Sequence, residues 1–214
     1  MTYSVNEIYF TLQGEGARTG RPAVFLRFAG CNLWSGREQD RASAVCRFCD
    51  TEFVGTDGPG GGKFQSASDL AAAVASRWPV PAGPSRRYVV CTGGEPLLQL
   101  DVAAIEALHD LGFEIGVESN GTIAAPDGID WLCISPKGNA PLKQRSGDEL
   151  KLVYPQVEAE AQPERFENLS FRHFFLQPLD DASRDEHTSA AVRYCLRHPQ
   201  WQLSLQTHKL LGIP

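Results

Sequence analysis

Short apolar segments alternate along the chain with segments of helical periodicity. Seven segments have the length and composition typical of β-strands: 23–28, 88–91, 113–117, 131–134, 150–154, 171–176 and 201–205. The apolar spacing of helices is found in 68–78, 101–111 and 184–197, and more weakly in 158–168. Ser68 and Asp101 are the predicted N-caps of the first two helices.

This alternation predicts βαβ units and therefore a mainly parallel sheet. A complete eight-unit barrel usually needs about 250 residues, whereas the chain has 214. We therefore predict an α/β fold built as a partial or shortened (β/α) barrel in one domain. The glycine-rich segment 55–64 lacks the fixed glycine spacing of a nucleotide-binding loop, and it is predicted to be a flexible connection.

Polar or reactive residues directly follow six of the predicted strands. Cys31 follows the first strand, and the motifs TGGEP, ESNGT, SPKG, QPLD and QTHK follow later ones. The carboxyl ends of parallel strands meet at one edge of a barrel, where active sites are built. Six such motifs at one edge are difficult to assign to stability alone, so the pattern predicts an active site there.

Charge and hydropathy exclude several kinds of partner. The net charge is -6, the pI is about 5.4 and no run of lysines and arginines occurs, so neither nucleic acid nor an anionic membrane is expected to bind. No apolar stretch approaches the roughly 20 residues of a membrane span, and MTYSVNEIYF does not resemble a signal peptide. We expect a cytoplasmic protein, in which the cysteines do not form disulfides.

Three cysteines, Cys31, Cys46 and Cys49, are spaced as CX14CX2C. The closely spaced pair is compatible with two ordinary thiols in a turn or with a zinc site. Structural zinc usually has four ligands, and the sequence contains no second CxxC and no HxxxH motif. A further alternative is an iron–sulfur cluster with three cysteine ligands, whose open iron can bind a substrate or cofactor.

The cluster alternative resembles the radical S-adenosylmethionine enzymes, whose usual motif is CxxxCxxC. Ser35 stands where the second cysteine of that motif would be, and the pattern resumes at Cys46 after an insertion. Such an insertion is inexpensive, because each doubling of loop length costs only about 0.6 kcal/mol of closure free energy. The resemblance implies one domain, 1–214, of the radical S-adenosylmethionine partial-barrel type, with a cluster-loop insertion around 32–45.

The TGGEP motif is similar to the GGE motif that binds the methionine amino group of S-adenosylmethionine in this superfamily. Gly93 and Gly94 permit a close backbone approach, and the Glu95 carboxylate can meet an ammonium group. Taken alone, the motif is equally compatible with a strand-to-helix turn that requires glycines.

Almost end to end, the chain resembles the 7-carboxy-7-deazaguanine synthases of the queuosine (7-deazapurine) pathway. The matching segments are YFTLQGEG, FLRFAGCNLW, CDTEF, CTGGEPLLQ, VESNGT, ISPK, ELKLVY, FLQPLD and SLQTHK. The resemblance implies a lyase that converts 6-carboxy-5,6,7,8-tetrahydropterin to 7-carboxy-7-deazaguanine with release of ammonia. A 5′-deoxyadenosyl radical would initiate this ring contraction. The implied cofactors are a [4Fe–4S] cluster, S-adenosyl-L-methionine and Mg²⁺.

The same resemblance implies roles for the residues at the predicted edge. Cys31, Cys46 and Cys49 would bind the cluster, and a further set would bind S-adenosylmethionine. That set is Gly93, Gly94, Glu95, Glu118, Ser119, Asn120, Ser135, Lys137 and Gln177. A helix-capping turn is the alternative interpretation of Ser119 and Asn120.

A flat pterin with a carboxylate calls for a planar cation and several hydrogen-bonding side chains. Arg27 is predicted to bind the carboxylate, or alternatively to form a buried ion pair. Gln13 and Glu15 are predicted to bind the pyrimidine edge. His208 and Lys209 are placed at the end of the last strand, and Pro214 is predicted to bring a terminal carboxylate near the substrate. A frayed tail is the alternative for this segment.

Magnesium is assigned to Thr51, whose hydroxyl oxygen is a hard ligand, although a local cap by Asp50 or Thr51 competes with that role. The chemistry implies a flavodoxin- or ferredoxin-type electron donor, and the resemblance implies a homodimer. Two rival functions share some of these motifs. One is a radical activase that makes a glycyl radical on a partner protein, and the other is a non-enzymatic zinc module. The activase does not account for TLQGEG or QTHK, and a brown, oxygen-sensitive protein with acid-labile sulfide would exclude the zinc module.

Overall fold

A computed structural model describes residues 2–79 and 87–214. The described residues form one nine-stranded sheet of order β3-β1-β2-β4-β5-β6-β7-β8-β9. From β2 to β9 all neighbouring strands are parallel, whereas β1 is antiparallel to both β2 and β3. The strands are β1 Tyr3–Leu12, β2 Pro22–Phe28, β3 Gly62–Phe64, β4 Arg87–Gly93, β5 Phe113–Ser119, β6 Trp131–Ile134, β7 Ser146–Tyr154, β8 Ser170–Pro178 and β9 Trp201–Leu203.

Four α-helices accompany the sheet: α1 Ala67–Ala75, α2 Val102–Asp110, α3 Arg184–Arg197 and α4 Thr207–Leu211. Asp101 caps α2 as predicted, because its carboxylate accepts the Ala104 N–H at 2.9 Å. The predicted cap of α1 was wrong by two residues, since Ser66 and not Ser68 accepts the N–H of Asp69. Each cap satisfies a backbone donor that the first helical turn leaves free.

The two faces of the sheet differ in chemistry because successive side chains of a strand alternate. In β5, Ile115 and Val117 pack in the apolar core with α1 and α2, while Glu118 points to the other face. In β7, Leu150 and Leu152 pack in an apolar cluster with Ala191 of α3 and other residues. The opposite, inner face therefore carries the polar side chains.

The sheet does not close, since β3 and β9 each pair with one neighbour only. This confirms the predicted α/β fold built as a partial or shortened (β/α) barrel. The β1–β2 connection, residues 13–21, reaches across to the far strands. Gly16 N–H donates to Ser204 Oγ at 2.9 Å, and Ala17 N–H donates to Glu149 Oε2 at 3.0 Å. Its residues consequently belong to the inner face although they do not follow a parallel strand.

Several local predictions were wrong. The segment 158–168 is not an α-helix but two 3-10 turns, Ala159–Ala161 and Pro163–Arg165, since Pro163 lacks the N–H that a continuous helix needs. The connection 55–64 contains β3, and His208 and Lys209 lie in α4 rather than in the last strand. Within the described ranges, no helix has the length and apolar character required to cross a membrane.

Candidate active site

One cavity of about 460 Å³ lies at the carboxyl ends of the parallel strands and extends along the inner face. With the exception of Glu95, every residue predicted to bind a metal, cofactor or substrate lines it. These residues are Gln13, Glu15, Arg27, Cys31, Cys46, Cys49, Thr51, Gly93, Gly94, Glu118, Ser119, Asn120, Ser135, Lys137, Gln177, His208 and Pro214. The fold thus brings together residues that are up to 201 positions apart.

The three cysteines of the CX14CX2C motif are free thiols at one end of this cavity. A hydrogen bond with Cys46 lowers the pKa of Cys49 to about 6, and the same bond raises the pKa of Cys46. Burial raises the pKa of Cys31. Both thiols of the CX2C pair line the same cavity as Cys31.

The glycines of TGGEP form a close-fitting wall beside the thiols. A Cβ atom on Gly94 would collide with the Gly30 carbonyl oxygen and lie 2.8 Å from the Cβ of Cys31. Gly93 has φ +125°, and a Cβ there would collide with the backbone of Phe28. A side chain at either position would push into the strand end that precedes Cys31, so the glycines keep this end of the cavity open. Three convergent thiols beside a glycine wall fit a cysteine-bound cluster.

Glu95 is fully buried and lies behind this wall. Its Oε1 accepts the Leu97 N–H at 3.0 Å and the Ser119 hydroxyl at 2.9 Å, and its Oε2 accepts the Asn120 N–H at 2.8 Å. Burial raises the pKa of Glu95, against the lowering effect of these donors. The carboxylate therefore fixes two residues of the cavity wall, Ser119 and Asn120, to the TGGEP turn.

Neighbouring strand ends contribute further polar groups. Asn120 Nδ2 donates to Asn32 Oδ1 at 3.0 Å, and Lys137 Nζ donates to Ser135 Oγ. Gln177 Oε1 accepts the Ser204 hydroxyl at 3.2 Å. A lysine amine, amides and hydroxyls are suited to binding a ribose, an adenine edge and a carboxylate.

A buried ion cluster occupies the inner face. Lys151 Nζ contacts Glu15 Oε2 at 2.5 Å and Glu118 Oε2 at 3.0 Å. Gln13 Nε2 donates to Glu118 Oε1 at 2.9 Å, and Gln206 Nε2 donates to Glu15 Oε1 at 3.0 Å. Burial alone would raise the pKa of Glu15. The Lys151 ammonium and the Gln206 hydrogen bond outweigh this effect and lower the pKa to about 2. Glu15 is therefore held charged beside the Lys151 ammonium group, which Glu118 contacts from the other side.

Arg27 forms the ion pair that was its alternative interpretation, while it also lines the cavity. Its Nε donates to Glu7 Oε1 at 2.7 Å, and its Nη2 donates to the hydroxyl of Tyr9 at 2.8 Å. Glu7 lies directly opposite Arg27 in the β1–β2 register. These contacts hold a planar cation at the cavity wall, and such a cation is suited to binding a carboxylate.

The C-terminal segment closes one side of the cavity. His208 packs directly on Gly14, where a Cβ would collide with the imidazole. Lys209 Nζ bridges Asp50, next to Cys49, and Asp180 after β8, at 2.7 and 2.6 Å. The Pro214 carbonyl oxygen accepts the Thr11 hydroxyl at 2.9 Å. In the described structure this segment is packed against β1 and the cysteine loop, so it is not a frayed tail.

Comparisons with known proteins place this site in a family. No protein-family model matches the chain. Over all 214 residues, and over 100% of both chains, it is 66% identical to the 7-carboxy-7-deazaguanine synthase of Caulobacter vibrioides. It is 63% identical to the Bordetella pertussis protein of the same name, again over 100% of both chains. The chain belongs to the 7-carboxy-7-deazaguanine synthase family.

The structural comparison agrees with this membership. The crystal structure of QueE from Escherichia coli matches with a TM-score of 0.71 at 28% identity, over 96% of this chain and 94% of that one. Members of the synthase family are radical S-adenosylmethionine lyases, which supports the synthase interpretation and not the glycyl-radical activase.

Family membership implies S-adenosylmethionine and a [4Fe–4S] cluster, and the three thiols and the glycine wall fit both. Magnesium has less support from the geometry. Thr51 lines the cavity next to the cysteine pair. In the part of the chain that the structure describes, no group of three or more His, Cys, Asp or Glu side chains is arranged to hold a single metal ion.

The sequence analysis missed several residues of the synthase cavity, of which Lys151 is the most central. Lys151 is 3% exposed, between two fully buried leucines in ELKLV. A charged residue that alternates with leucines marks a strand with one polar face, so the signal was present in the sequence. Gln206 and Lys209 lie in the QTHK motif but were given no role, and Glu7 and Tyr9 gave no comparable signal because β1 itself was not predicted.

Proposed function

We propose that this protein converts 6-carboxy-5,6,7,8-tetrahydropterin to 7-carboxy-7-deazaguanine with release of ammonia, in queuosine or related 7-deazapurine biosynthesis. The observation that carries this proposal is one cavity lined both by three cysteine thiols and by a set of carboxylates, amides and cations. Full-length identity to named synthases supports the same conclusion.

At the thiol end, Cys31, Cys46 and Cys49 would hold three irons of a [4Fe–4S] cluster. When bound, the cluster and S-adenosylmethionine supply the 5′-deoxyadenosyl radical that removes the substrate C6 hydrogen. The backbone at Gly93 and Gly94 would bind the methionine end of S-adenosylmethionine. Glu95 would act indirectly, since its carboxylate already accepts the N–H of Asn120 and the hydroxyl of Ser119.

The remaining cofactor contacts would come from the adjoining strand ends. Ser119, Asn120, Ser135, Lys137 and Gln177 offer hydroxyl, amide and ammonium groups to the ribose, adenine and carboxylate. Glu118 is already engaged by Lys151 and Gln13, so it faces both the cofactor and the pterin regions.

At the other end, Arg27 would bind the substrate carboxylate, because its guanidinium is held in place by Glu7 and Tyr9. Gln13 and Glu15 would bind the amidine edge of the pyrimidine, with Lys151 keeping Glu15 ionised. His208 and the chain at Pro214 would close the site over the substrate. A charged acceptor such as Glu15 is well matched to the two N–H groups of an aminopyrimidine.

Other components of the reaction lie outside the chain. Mg²⁺ would bind the Thr51 hydroxyl together with the substrate carboxylate and water, a set of oxygen ligands that this ion prefers. Cluster reduction requires one electron, for which a flavodoxin- or ferredoxin-type protein is the proposed donor. We further propose a cytoplasmic homodimer that binds neither nucleic acid nor membranes.

An anaerobic assay tests the proposal directly. The reconstituted and reduced protein is mixed with S-adenosylmethionine, Mg²⁺ and 6-carboxy-5,6,7,8-tetrahydropterin, and the products are followed by mass spectrometry. We expect 7-carboxy-7-deazaguanine and ammonia in equal amounts, with S-adenosylmethionine regenerated. Cleavage of S-adenosylmethionine without the deazapurine would refute the substrate assignment, and failure to form a cluster would refute the roles of the three cysteines.

A further inference from the structure

The insertion between the first and second cysteines is a folded, self-contained loop. Val45 N–H donates to the Leu33 carbonyl at 3.2 Å, so the two ends of the insertion lie side by side. Within it, Glu38–Ser43 forms a 3-10 turn, and Ser35 Oγ donates to Asp40 Oδ2 at 2.5 Å. The closed base returns the chain to the cavity next to Cys31, where Cys46 begins the CX2C pair.

The segment that carries the CX2C pair has little structure of its own. Residues 44–61 contain no helix or strand. Apart from one weak turn at 47–48, residues 46–52 form no backbone–backbone hydrogen bond within the described ranges. A segment with so few such bonds opens easily, so something else must hold the two thiols in place before a cluster binds.

Arg41, in the middle of the insertion, supplies the missing bonds. Its Nη1 donates to the carbonyl of Arg47 at 2.8 Å and to the carbonyl of Cys49 at 3.0 Å. These two carbonyls lie on either side of Phe48, within the CX2C turn. Hydrogen bonds from a charged donor are about twice as strong as those between neutral groups, so one side chain braces the turn at two points.

The guanidinium is itself fixed from two other directions. Its Nε donates to both carboxylate oxygens of Glu38 at 2.8 Å. Its central carbon lies 4.1 Å from the ring centroid of Trp34, and Trp34 is only 8% exposed. The Trp34 ring in turn packs edge-to-face on Phe53, with centroids 5.7 Å apart. An arginine held by stacking and by a carboxylate loses little freedom when it binds the carbonyls.

We propose that Arg41 is a positioning residue for the iron–sulfur cluster: it holds the Cys46–Cys49 turn in the shape in which both thiols face the cavity with Cys31. This inference rests on the proposed function. It gives the insertion a role, because the residues that lengthen the CX14CX2C motif also carry the group that braces its second half. Lysine cannot replace arginine fully, since an ammonium cannot stack on Trp34 and bond both carbonyls in the same planar geometry.

The test compares Arg41→Ala and Arg41→Lys with Arg37→Ala, which removes an exposed arginine of the same insertion. Each protein is reconstituted anaerobically, and loss of the cluster to an iron chelator is followed by absorbance. Loss of a group that orients a metal ligand typically costs 10–100-fold in affinity, so we expect cluster loss about tenfold or more faster in Arg41→Ala. Arg41→Lys should be intermediate, and Arg37→Ala should match the parent.

Two further readouts separate positioning from general damage. The electron paramagnetic resonance spectrum of the reduced cluster with S-adenosylmethionine should broaden in Arg41→Ala, while the KM for the pterin stays constant and kcat falls. In cluster-free protein, amide exchange in 45–52 should be faster in Arg41→Ala than in the parent or in Arg37→Ala.

Unchanged chelator resistance, spectrum and amide exchange in Arg41→Ala would overturn the role of Arg41 while leaving the proposed function intact. If the parent itself takes up no cluster, the proposed function fails, and the amide exchange of the cluster-free proteins still decides whether Arg41 braces the turn.

Discussion

The Lys151 ammonium lies 3.0 Å from Glu118 Oε2, with the lysine side chain only 4% exposed. Because Glu15 contacts the same nitrogen from the β1–β2 connection, one buried cation joins two chain segments that are 136 positions apart. Removal of one partner from a buried ion pair leaves an uncompensated charge, which is far more damaging than the loss of an exposed pair. This relationship leads to two predictions.

Replacement of Lys151 by methionine should lower the free energy of unfolding by about 3–5 kcal/mol, because Glu15 and Glu118 then face each other without a cation. Denaturant unfolding of the cluster-free protein measures the change. Lys143→Met, at an exposed lysine, is the matched control and should cost less than about 0.5 kcal/mol. Equal stability of the two variants would contradict a charged cluster.

The same cluster predicts the direction of the pH dependence. The pKa of Glu15 is about 2 in the folded protein, against an ordinary value of 4.5. A depressed folded pKa contributes stability that is complete above the unfolded value and is lost as the pH falls toward the folded value. The Glu15 contribution should therefore be constant above about pH 5 and decline between about pH 4.5 and 2. Lys151→Met removes the main cause of the lowered Glu15 pKa. The unfolding free energy should therefore fall less between about pH 4.5 and 2 in this variant than in the parent.

Much of the site was predictable because most of its residues follow parallel strands, whose carboxyl ends share one edge. Cys31, Gly94, Asn120 and Lys137 follow four different strands, and all of them line the cavity. The sequence pattern locates such residues without any knowledge of side-chain contacts.

The first strand was not predicted because its alternation is interrupted. Tyr3 and Val5 are buried as a period of two requires, but the register of β1 shifts between Val5 and Glu7, and Asn6 is buried as well. A bulge of this kind moves the following residues to the other face. Without β1, the pairing of Glu7 with Arg27 could not be anticipated, nor could the path that brings Glu15 to Lys151.

Arg27 has both a structural and a proposed binding role, and the two can be separated. Arg27→Lys keeps a cation opposite Glu7 but loses the planar pair of donors for a carboxylate. We expect the KM for the pterin to rise about 10–100-fold, as the loss of a charged hydrogen bond of about 1.5–3 kcal/mol implies. The affinity for S-adenosylmethionine should be constant.

Arg172→Lys, at a largely exposed ion pair, is the control for Arg27→Lys. A loss of stability in Arg27→Lys with no change in KM would assign Arg27 to the ion pair alone. Steady-state kinetics and thermal unfolding of the two variants make this distinction.

Gly94→Ala should prevent cluster binding, because the new Cβ would collide with the Gly30 carbonyl and displace Cys31. Gly112→Ala is a demanding control: Gly112 has φ +77°, but a Cβ there meets nothing within 4 Å. It should cost about 1–2 kcal/mol of backbone strain and leave the cluster unaffected. Iron and sulfide content after reconstitution measures the difference. Normal content in Gly94→Ala would show that the backbone at Gly30 and Cys31 can move to accommodate the added methyl group.

Variants at Glu95 distinguish direct binding of S-adenosylmethionine from indirect support of the cavity wall at Ser119 and Asn120. In Glu95→Gln the side-chain amide can accept hydrogen bonds through one oxygen only, so at least one of the donors at Leu97, Ser119 and Asn120 loses its partner. An unpaired buried donor costs about 1–3 kcal/mol, so this variant should lose stability and S-adenosylmethionine affinity together. Glu106→Gln, at an exposed position of α2, should change neither.

Ser119→Ala removes one donor to Glu95 and leaves the Glu95 carboxyl group in place. If Glu95 acts by holding the strand end after β5, Ser119→Ala should weaken S-adenosylmethionine binding in the same direction as Glu95→Gln, with a smaller loss of stability. If Glu95 instead binds the cofactor amino group directly, Glu95→Gln should abolish S-adenosylmethionine binding, whereas Ser119→Ala should leave the affinity nearly unchanged. Calorimetric titration with S-adenosylmethionine and denaturant unfolding of the same samples separate these two outcomes.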